Sequence, residues 1–318
     1  MKKILVVTDL PVSAVNWYRG TGTYQYLGEC QTSSVMFHGW EQMVSKDVLV
    51  YLRPSTADSL KTIQHAKAMK KTVIVDYDDD FFNISESSPA YQYIIREECQ
   101  TVTLESAMLC DHLTVSTLSL KESFVNKGVE TSKIHVVPNA WDDYYRSFNP
   151  KLNLTEKFFM RGDRNAYNDI MSQFYQIRKA STKYEFITLG EVTDFYFYWK
   201  MKSYHYITVP FYFDKLADNF FQSRVMIKPM INNVFNRAKS NCSWIEATAA
   251  GMVLVASKLP EFNREGIETA EDFYQSIEKL MKHESYAKNK FEKSVDYINE
   301  NLLLSKVNEQ RKKLIEGV

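Results

Sequence analysis

Cysteine is sparse in this 318-residue sequence: Cys30, Cys99, Cys110 and Cys242 stand apart, with no C-x-x-C spacing. Reduced thiols are therefore expected, and neither a disulfide framework nor a thiolate zinc site is written into the chain. The six histidines form no H-x-x-x-H or H-E-x-x-H pattern, so soft ligands predict no metal. No run reaches the roughly eighteen apolar residues that span a bilayer. The opening Met1-Lys2-Lys3 leads into Ile4-Leu5-Val6-Val7, which Asp9 and Pro11 end too soon for a signal-peptide core, and the expected location is the cytoplasm. Net charge is also missing. Lys plus Arg total 39 and Asp plus Glu total 39, which excludes a generic polyanion binder and leaves only local basic patches. Glycine is scarce at 10, whereas 20 Tyr and 19 Phe are present. The 45% hydrophobic and 25% charged content is that of a globular protein long enough for two domains.

Strand-length apolar runs alternate with helical stretches, the pattern of βαβ units and parallel sheets. Strands are predicted at Ile4–Thr8, Ser34–Phe37, Val48–Leu52, Thr72–Asp76, His112–Val115 and Ile134–Val137. A second series is predicted at Phe158–Met160, Glu185–Leu189, Tyr206–Val209, Val225–Ile227 and Met252–Ala256. The implied division is a Rossmann-like domain over 1–140, a linker over 141–153, a second Rossmann-like domain over 154–300 and a last helix over 301–318. Helical spacing runs through Phe273, Ile277 and Leu280, then Phe291, Val295 and Ile298. No internal repeat or low-complexity segment interrupts this order.

The stretch Lys228–Pro260 carries the strongest chemical signal. Polar residues Asn232–Asn241 precede a small-residue helix from Ser243 to Ala250, Gly251 stops it, and Val253–Ala256 form a buried strand. A helix start of this kind binds anions, because its first N–H groups are unpaired and the helix dipole adds about half a positive charge. Arg237 and Lys239 add whole charges, and Asn236, Ser240 and Asn241 are placed to donate hydrogen bonds. Glu246 has two readings: Ser243-Trp244-Ile245-Glu246 fits a capping box, or the carboxylate faces a ligand.

The loop after the first strand contains Arg19-Gly20-Thr21-Gly22-Thr23, read either as a phosphate-facing turn or as a plain helix cap. The fourth strand runs into Asp76-Tyr77-Asp78-Asp79-Asp80, and crowded carboxylates repel one another. Alternation puts Asp76, Asp78 and Asp80 on one side. They are candidates for hydroxyl recognition (Asp76) or a general base (Asp78, Asp80), and the set is then a candidate for a hard-ligand divalent cation; the third reading has Asp79 and Asp80 merely cap the following turn. Tyr91 and Arg96 follow on a helix from Pro89 and are candidates for the acceptor side, against a core-packing reading. The run from Asp194 to Tyr206 is unusually aromatic and reads as base-stacking surface or as a packed helix.

Three motifs carry a resemblance to a known family. Glu246-Ala247-Thr248-Ala249-Ala250-Gly251 is similar to the nucleotide-sugar signature of GT-B glycosyltransferases, in particular the retaining group with sucrose and glycogen synthase relatives. Val137-Pro138-Asn139-Ala140-Trp141-Asp142 resembles that group's interdomain motif, and the aspartate run resembles phage and bacterial members. The resemblance implies two Rossmann-like domains facing a cleft, with C-terminal helices crossing back to the first. It implies that Glu246 holds the donor ribose and that Arg19 with Gly20 and Arg161 approach the donor phosphates. The family's partner Glu falls on Ala238, which removes the expected sugar contact.

The reading that results is an α/β enzyme moving a sugar from a nucleotide-diphosphate sugar, UDP-sugar favoured, to a hydroxyl. Arg161 and Lys239 would stabilise the leaving diphosphate, with no cofactor required and a divalent cation left open. Retention follows from the resemblance; an inverting enzyme would use Asp78 or Asp80. Residue usage resembles a phage-encoded member, which points by analogy to hydroxymethylcytosine in double-stranded DNA as acceptor, with glucose or arabinose as the sugar. The alternatives are a cell-surface polysaccharide or lipid-linked acceptor, epimerase chemistry, and a non-catalytic nucleotide- or DNA-binding protein. No stable membrane insertion is expected, and the oligomeric state is open.

Overall fold

Short runs of Val, Ile and Leu that bury both faces need helices on each side, and such runs build parallel sheets. The computed structural model describes residues 1–9, 11–34, 40–84, 86, 88, 90–95, 97–161, 166–189, 203–204 and 222–317. Its first sheet contains β1 (Lys3–Val7), β2 (Glu29–Ser33), β3 (Val48–Leu52), β4 (Thr72–Tyr77), β5 (His112–Val115) and β6 (Ile134–Val136). Its second contains β7 (Lys157–Arg161), β8 (Glu185–Leu189), β9 (Ser203–Tyr204), β10 (Val225–Lys228), β11 (Val253–Ala256) and β12 (Glu268–Thr269). Every pairing among them is parallel. The orders are β2-β1-β3-β4-β5-β6 and β12-β11-β10-β7-β8-β9. Each order reverses direction once, between β1 and β3 in the first sheet and between β7 and β10 in the second. Crevices open at the carboxyl ends of the strands at such points.

Of the strand predicted at Ser34–Phe37, only Ser34 is among the described residues, and it lies just past the second strand that is observed. The second strand is Glu29–Ser33, a polar, half-exposed edge strand paired only with β1, so it lacks the apolar signature that marks its neighbours. Residues 35–37 lie outside the described residues, as do the predicted strand Tyr206–Val209 and most of the aromatic run from Asp194 to Tyr206. Strand β12 has only two residues, too few for any period to register.

The C-terminal helices are Phe273–Lys282, Glu284–Asn301 and Leu304–Glu316. The first packs Phe273, Ile277 and Leu280 into the second sheet's core. The last crosses back, placing Leu314 and Ile315 against Ile4, Val6 and Tyr24 of the first sheet's side. Trp141 and Leu303 pair at the crossing, through Trp141 N–H to Leu302 O at 2.8 Å and Leu304 N–H to Trp141 O at 2.7 Å. Among the described residues no helix is long and apolar enough to cross a membrane.

Two residues predicted to meet ligand are instead part of the frame. Arg19 is fully buried and Asp76 is 1% exposed, and they pair through Nη2 to Oδ2 at 2.7 Å and Nε to Oδ1 at 3.0 Å. Arg19 also donates to the Val137 carbonyl and, at 3.3 Å, to Asn139 Oδ1, while Thr114 Oγ1 donates to Asp76 at 2.5 Å. Both charges are sealed from solvent, out of reach of a phosphate or a hydroxyl. Gly20 is buried too: a Cβ there would lie 2.2 Å from Asn16 Oδ1 and 2.6 Å from Leu52, so close packing accounts for this glycine.

Arg19→Met alone is expected to cost ~3–5 kcal/mol, because it strands a buried carboxylate. Arg19→Met with Asp76→Leu should cost clearly less, and urea unfolding of both variants measures the difference. A second expectation concerns His112 and His135, whose ring nitrogens lie 3.3 Å apart across β5 and β6. Burial lowers both pKa values; at His112 Asp111 opposes the shift and Lys67 adds to it, and at His135 His112 and Lys121 add to it. A lowered histidine pKa gives stability that is present above the unfolded value near 6.5 and is lost as pH falls. Melting temperature should therefore drop between pH 7 and pH 5, and drop less in His135→Gln.

Candidate functional site

A cavity of about 440 Å³ lies where the two switch points face each other. The first domain contributes Ala14, Val15 and Tyr18 from the segment after β1, Arg53 after β3, and Asp78 and Asp79 after β4. From the second domain come Arg161 at the end of β7, Lys228 at the end of β10, and Asn236, Lys239, Ser240, Cys242 and Ser243 around a helix start. Four cations and the carboxylates of Asp78, Asp79 and Asp169 thus share one cleft.

On the first domain's side the organising residue is Arg53, which sequence reasoning missed. Its φ is 50°, a left-handed conformation that costs a non-glycine residue roughly 1–2 kcal/mol. In that conformation its N–H bonds Asp76 O at 2.8 Å and its guanidinium reaches Asp78 Oδ1 and, at 2.9 Å, Asp79 Oδ2. A lone charge ending the wholly apolar run Val48–Leu52 was the available signal.

The aspartate run does not alternate as expected, because β4 ends at Tyr77. Asp78 and Asp79 turn to Arg53, whereas Asp80 is 1% exposed and accepts from Phe82 N–H (3.0 Å), Asn83 Nδ2 (2.8 Å) and Ser123 Oγ (2.6 Å). Asp80 therefore caps a turn and is not placed as a base. Asp78 lines the cleft, as does Asp79, for which only a turn-capping role was expected. Since Arg19, Arg53, Lys239 and these donors divide the run among them, it makes no shared cation cradle, and among the described residues no group of three His, Cys, Asp or Glu could hold a metal. Tyr91 is half-buried in the short helix Tyr91–Ile94, and Arg96 lies outside the described residues.

On the second domain's side the helix spans Cys242–Ala249. Gly251 adopts φ 76° beyond its end, with Gly251 N–H bonding Thr248 O at 3.0 Å and Met252 N–H bonding Ala247 O at 2.8 Å. This pair of bonds is a Schellman stop. Gly251 is required twice over, since a Cβ would also meet Lys151 O at 2.4 Å. Ser243 lies inside the helix rather than capping it, so the capping-box reading of Glu246 fails. Glu246 instead accepts from Arg161 Nη1 and, at 3.3 Å, from Tyr18 Oη of the other domain. The N-cap residue Asn241 is buried and donates to Asn139 O at 3.2 Å, which joins the helix to the interdomain segment, and it does not line the cleft.

Lys239 reaches across the cleft to Asp79 Oδ1 at 2.6 Å and lies 4.2 Å from the centre of the Phe235 ring. Asn236 lines the cleft but donates to Asp169 Oδ1 and Ile231 O, so it clamps the loop after β10. Arg237 is exposed and does not line this cavity. Ala238, where the resemblance has a glutamate, is 2% exposed, packs into the first domain's core and accepts from Thr117 Oγ1 at 3.0 Å. A carboxylate there would meet protein rather than the cleft.

Charge pairing tunes the groups that remain. Burial would raise the Asp79 carboxyl, but Lys239 and Arg53 outweigh it and hold the group well below the usual range. Burial, then Glu246, pushes the Tyr18 phenol well up, so it stays a neutral donor. Burial, then Glu246, pushes the Cys242 thiol up to about 12, which rules out a thiolate nucleophile at neutral pH. At Arg161 burial disfavours the charge, and Glu246 more than restores it.

No protein-family model matches the sequence, and no curated protein does. Solved structures do match in shape. Anabaena HepE in complex with UDP and glucose aligns with a TM-score of 0.68 at 9% identity, with 100% of both chains covered. Sucrose-phosphate synthase from Thermosynechococcus elongatus aligns at 0.67 and 10% identity, covering 100% of this chain and 99% of its own. A putative UDP-N-acetylglucosamine 2-epimerase from Listeria monocytogenes aligns at 0.55 and 10% identity, covering 100% and 97%. The chain thus has the GT-B architecture, two Rossmann-like domains facing across a cleft with the C-terminal helices crossing back to the first.

Proposed function

We propose that this chain transfers a sugar from a UDP-sugar to a hydroxyl group. The observation that carries the reading is the convergence of Arg161, Lys228 and Lys239 with the start of the helix Cys242–Ala249 on one cleft between the two switch points. A diphosphate leaving group gains negative charge as the glycosidic bond breaks, and fixed cations with a helix N-terminus stabilise that charge without reorganising. Arg161 and Lys239 take this role. Glu246, carried on the same helix and backed by Tyr18, accepts from the ribose hydroxyls once a ligand competes for Arg161. HepE, solved with UDP and with UDP-glucose, supports a uridine nucleotide as donor.

The acceptor hydroxyl enters along the first domain, where Val15, Phe81, Ile84 and Ala90 lie beside Asp78 and Asp79. Of the two candidate bases, Asp78 is the one that faces this space, and it serves as the base if the reaction inverts. Hydroxymethylcytosine in DNA draws no particular support from this wall. Among the described lining residues the first domain supplies one cation, Arg53, and two carboxylates already hold it. A polysaccharide or lipid-linked hydroxyl is the competing acceptor class.

UDP or UDP-glucose should raise the melting temperature, by the equivalent of about 2.7 kcal/mol at a hundredfold excess over Kd. Arg161→Ala and Lys239→Ala should each lower kcat/KM by about 100-fold, the usual loss when a transition-state charge partner is removed. Hydroxymethylated duplex DNA and a lipid-linked sugar, assayed side by side with the donor that binds, decide the acceptor class. A folded wild type that no nucleoside diphosphate or nucleotide sugar stabilises would sink the reading.

A further inference from the structure

We propose that Asp79 is a specificity-determining residue that competes with the ligand's anion for Lys239, and so sets how much charge a ligand must bring to occupy the cleft. This rests on the glycosyl-transfer reading above. Lys239 bonds Asp79 at 2.6 Å from the opposite domain, and the two side chains are 30% and 24% exposed. The bridge is therefore within reach of solvent and of an entering anion, unlike the sealed pair of Arg19 and Asp76, whose side chains are 0% and 2% exposed. The same carboxylate has a second partner, because Arg53 Nη2 holds Asp79 Oδ2 at 2.9 Å.

That second partner makes exchange inexpensive. When a diphosphate takes Lys239, Asp79 keeps the Arg53 guanidinium and is not left as an unpaired carboxylate, the usual reason why breaking such a pair is costly. Arg53 in turn keeps Asp78. Lys239 passes from one anion to another while both carboxylates of the chain Asp78–Arg53–Asp79 keep a hydrogen-bonded guanidinium. A neutral ligand offers Lys239 nothing and leaves the bridge intact. A nucleoside diphosphate offers more charge than one carboxylate and displaces it.

Isothermal titration of UDP and of uridine into the wild type, Asp79→Asn, Lys239→Ala and the double variant tests this. Asp79→Asn should bind UDP about fivefold more tightly, the tenor of losing one part-exposed ion-pair competitor, with uridine unchanged. The gain should vanish in the Lys239→Ala background, as a double-mutant cycle requires of a direct competition. Asp79→Glu, which keeps the bridging charge, should return the affinity towards that of the wild type; Asp79→Ser replaces the asparagine variant if that one does not fold. UDP binding that is unchanged or weaker in Asp79→Asn overturns the inference alone, as does a gain that persists without Lys239. A folded wild type that binds neither ligand overturns the glycosyl-transfer reading together with it.

Discussion

A guanidinium held entirely away from water fixes the geometry on which the cleft depends. Arg19 ends the helix Ala14–Arg19 after β1, grips Asp76 in β4, and bonds Val137 and Asn139 where the chain leaves the first sheet. Asn139 passes the constraint on, donating from Nδ2 to Cys242 Sγ at 2.8 Å and accepting from Asn241. The start of the second domain's helix is thus positioned from the core of the first. Isolated, such a charge would be very costly to bury, and its many fixed acceptors are what make it tolerable. Arg311 of the last helix lies close enough to feel Arg19 and Asp76, and burial followed by Arg19 pushes its pKa down. The last helix is itself tied to this region, since Asn308 Nδ2 donates to Thr23 O at 3.0 Å and Arg311 Nη1 donates to Asn308 Oδ1 at 3.0 Å.

The cleft applies the same chemistry under looser conditions. Its cations are paired before any ligand arrives, Arg161 with Glu246 and Lys239 with Asp79, so none has to be gathered from solvent when an anion enters. Preorganised charge of this kind is effective because its reorganisation is done at folding. The strained Arg53 belongs to this arrangement, since its left-handed backbone turns one side chain towards two carboxylates.

The architecture was legible wherever a strand was buried on both faces, as in Val48–Leu52 or Val253–Ala256, because continuous apolar runs admit few other readings. Edge strands escaped, since Glu29–Ser33 packs too little apolar surface to declare itself. Lys239 and Glu246 were found from their place at a glycine-stopped helix, and the structure brings both into the charge network of the cleft. Arg19, Asp76 and Asp80 were misread for one common reason. A charged residue at a strand end signals either a ligand or a buried partner, and sequence does not reveal which partner folding supplies. Tyr18 went unseen, and Asp79 was read only as a turn cap, for the complementary reason: their roles arise from contacts to Glu246 and Lys239 at separations of 228 and 160 residues.

The double crossing between the domains limits how they can move. Residues 141 and 303 belong to two separate passages of the chain, yet they meet in a parallel bridge, with Trp141 bonded to Leu302 and Leu304. Two adjacent tethers resist sliding in a way that a single flexible linker does not. The crossing beside Trp141 and the bridge from Lys239 to Asp79 therefore join the two halves at separate places, one through backbone and one through side chains alone.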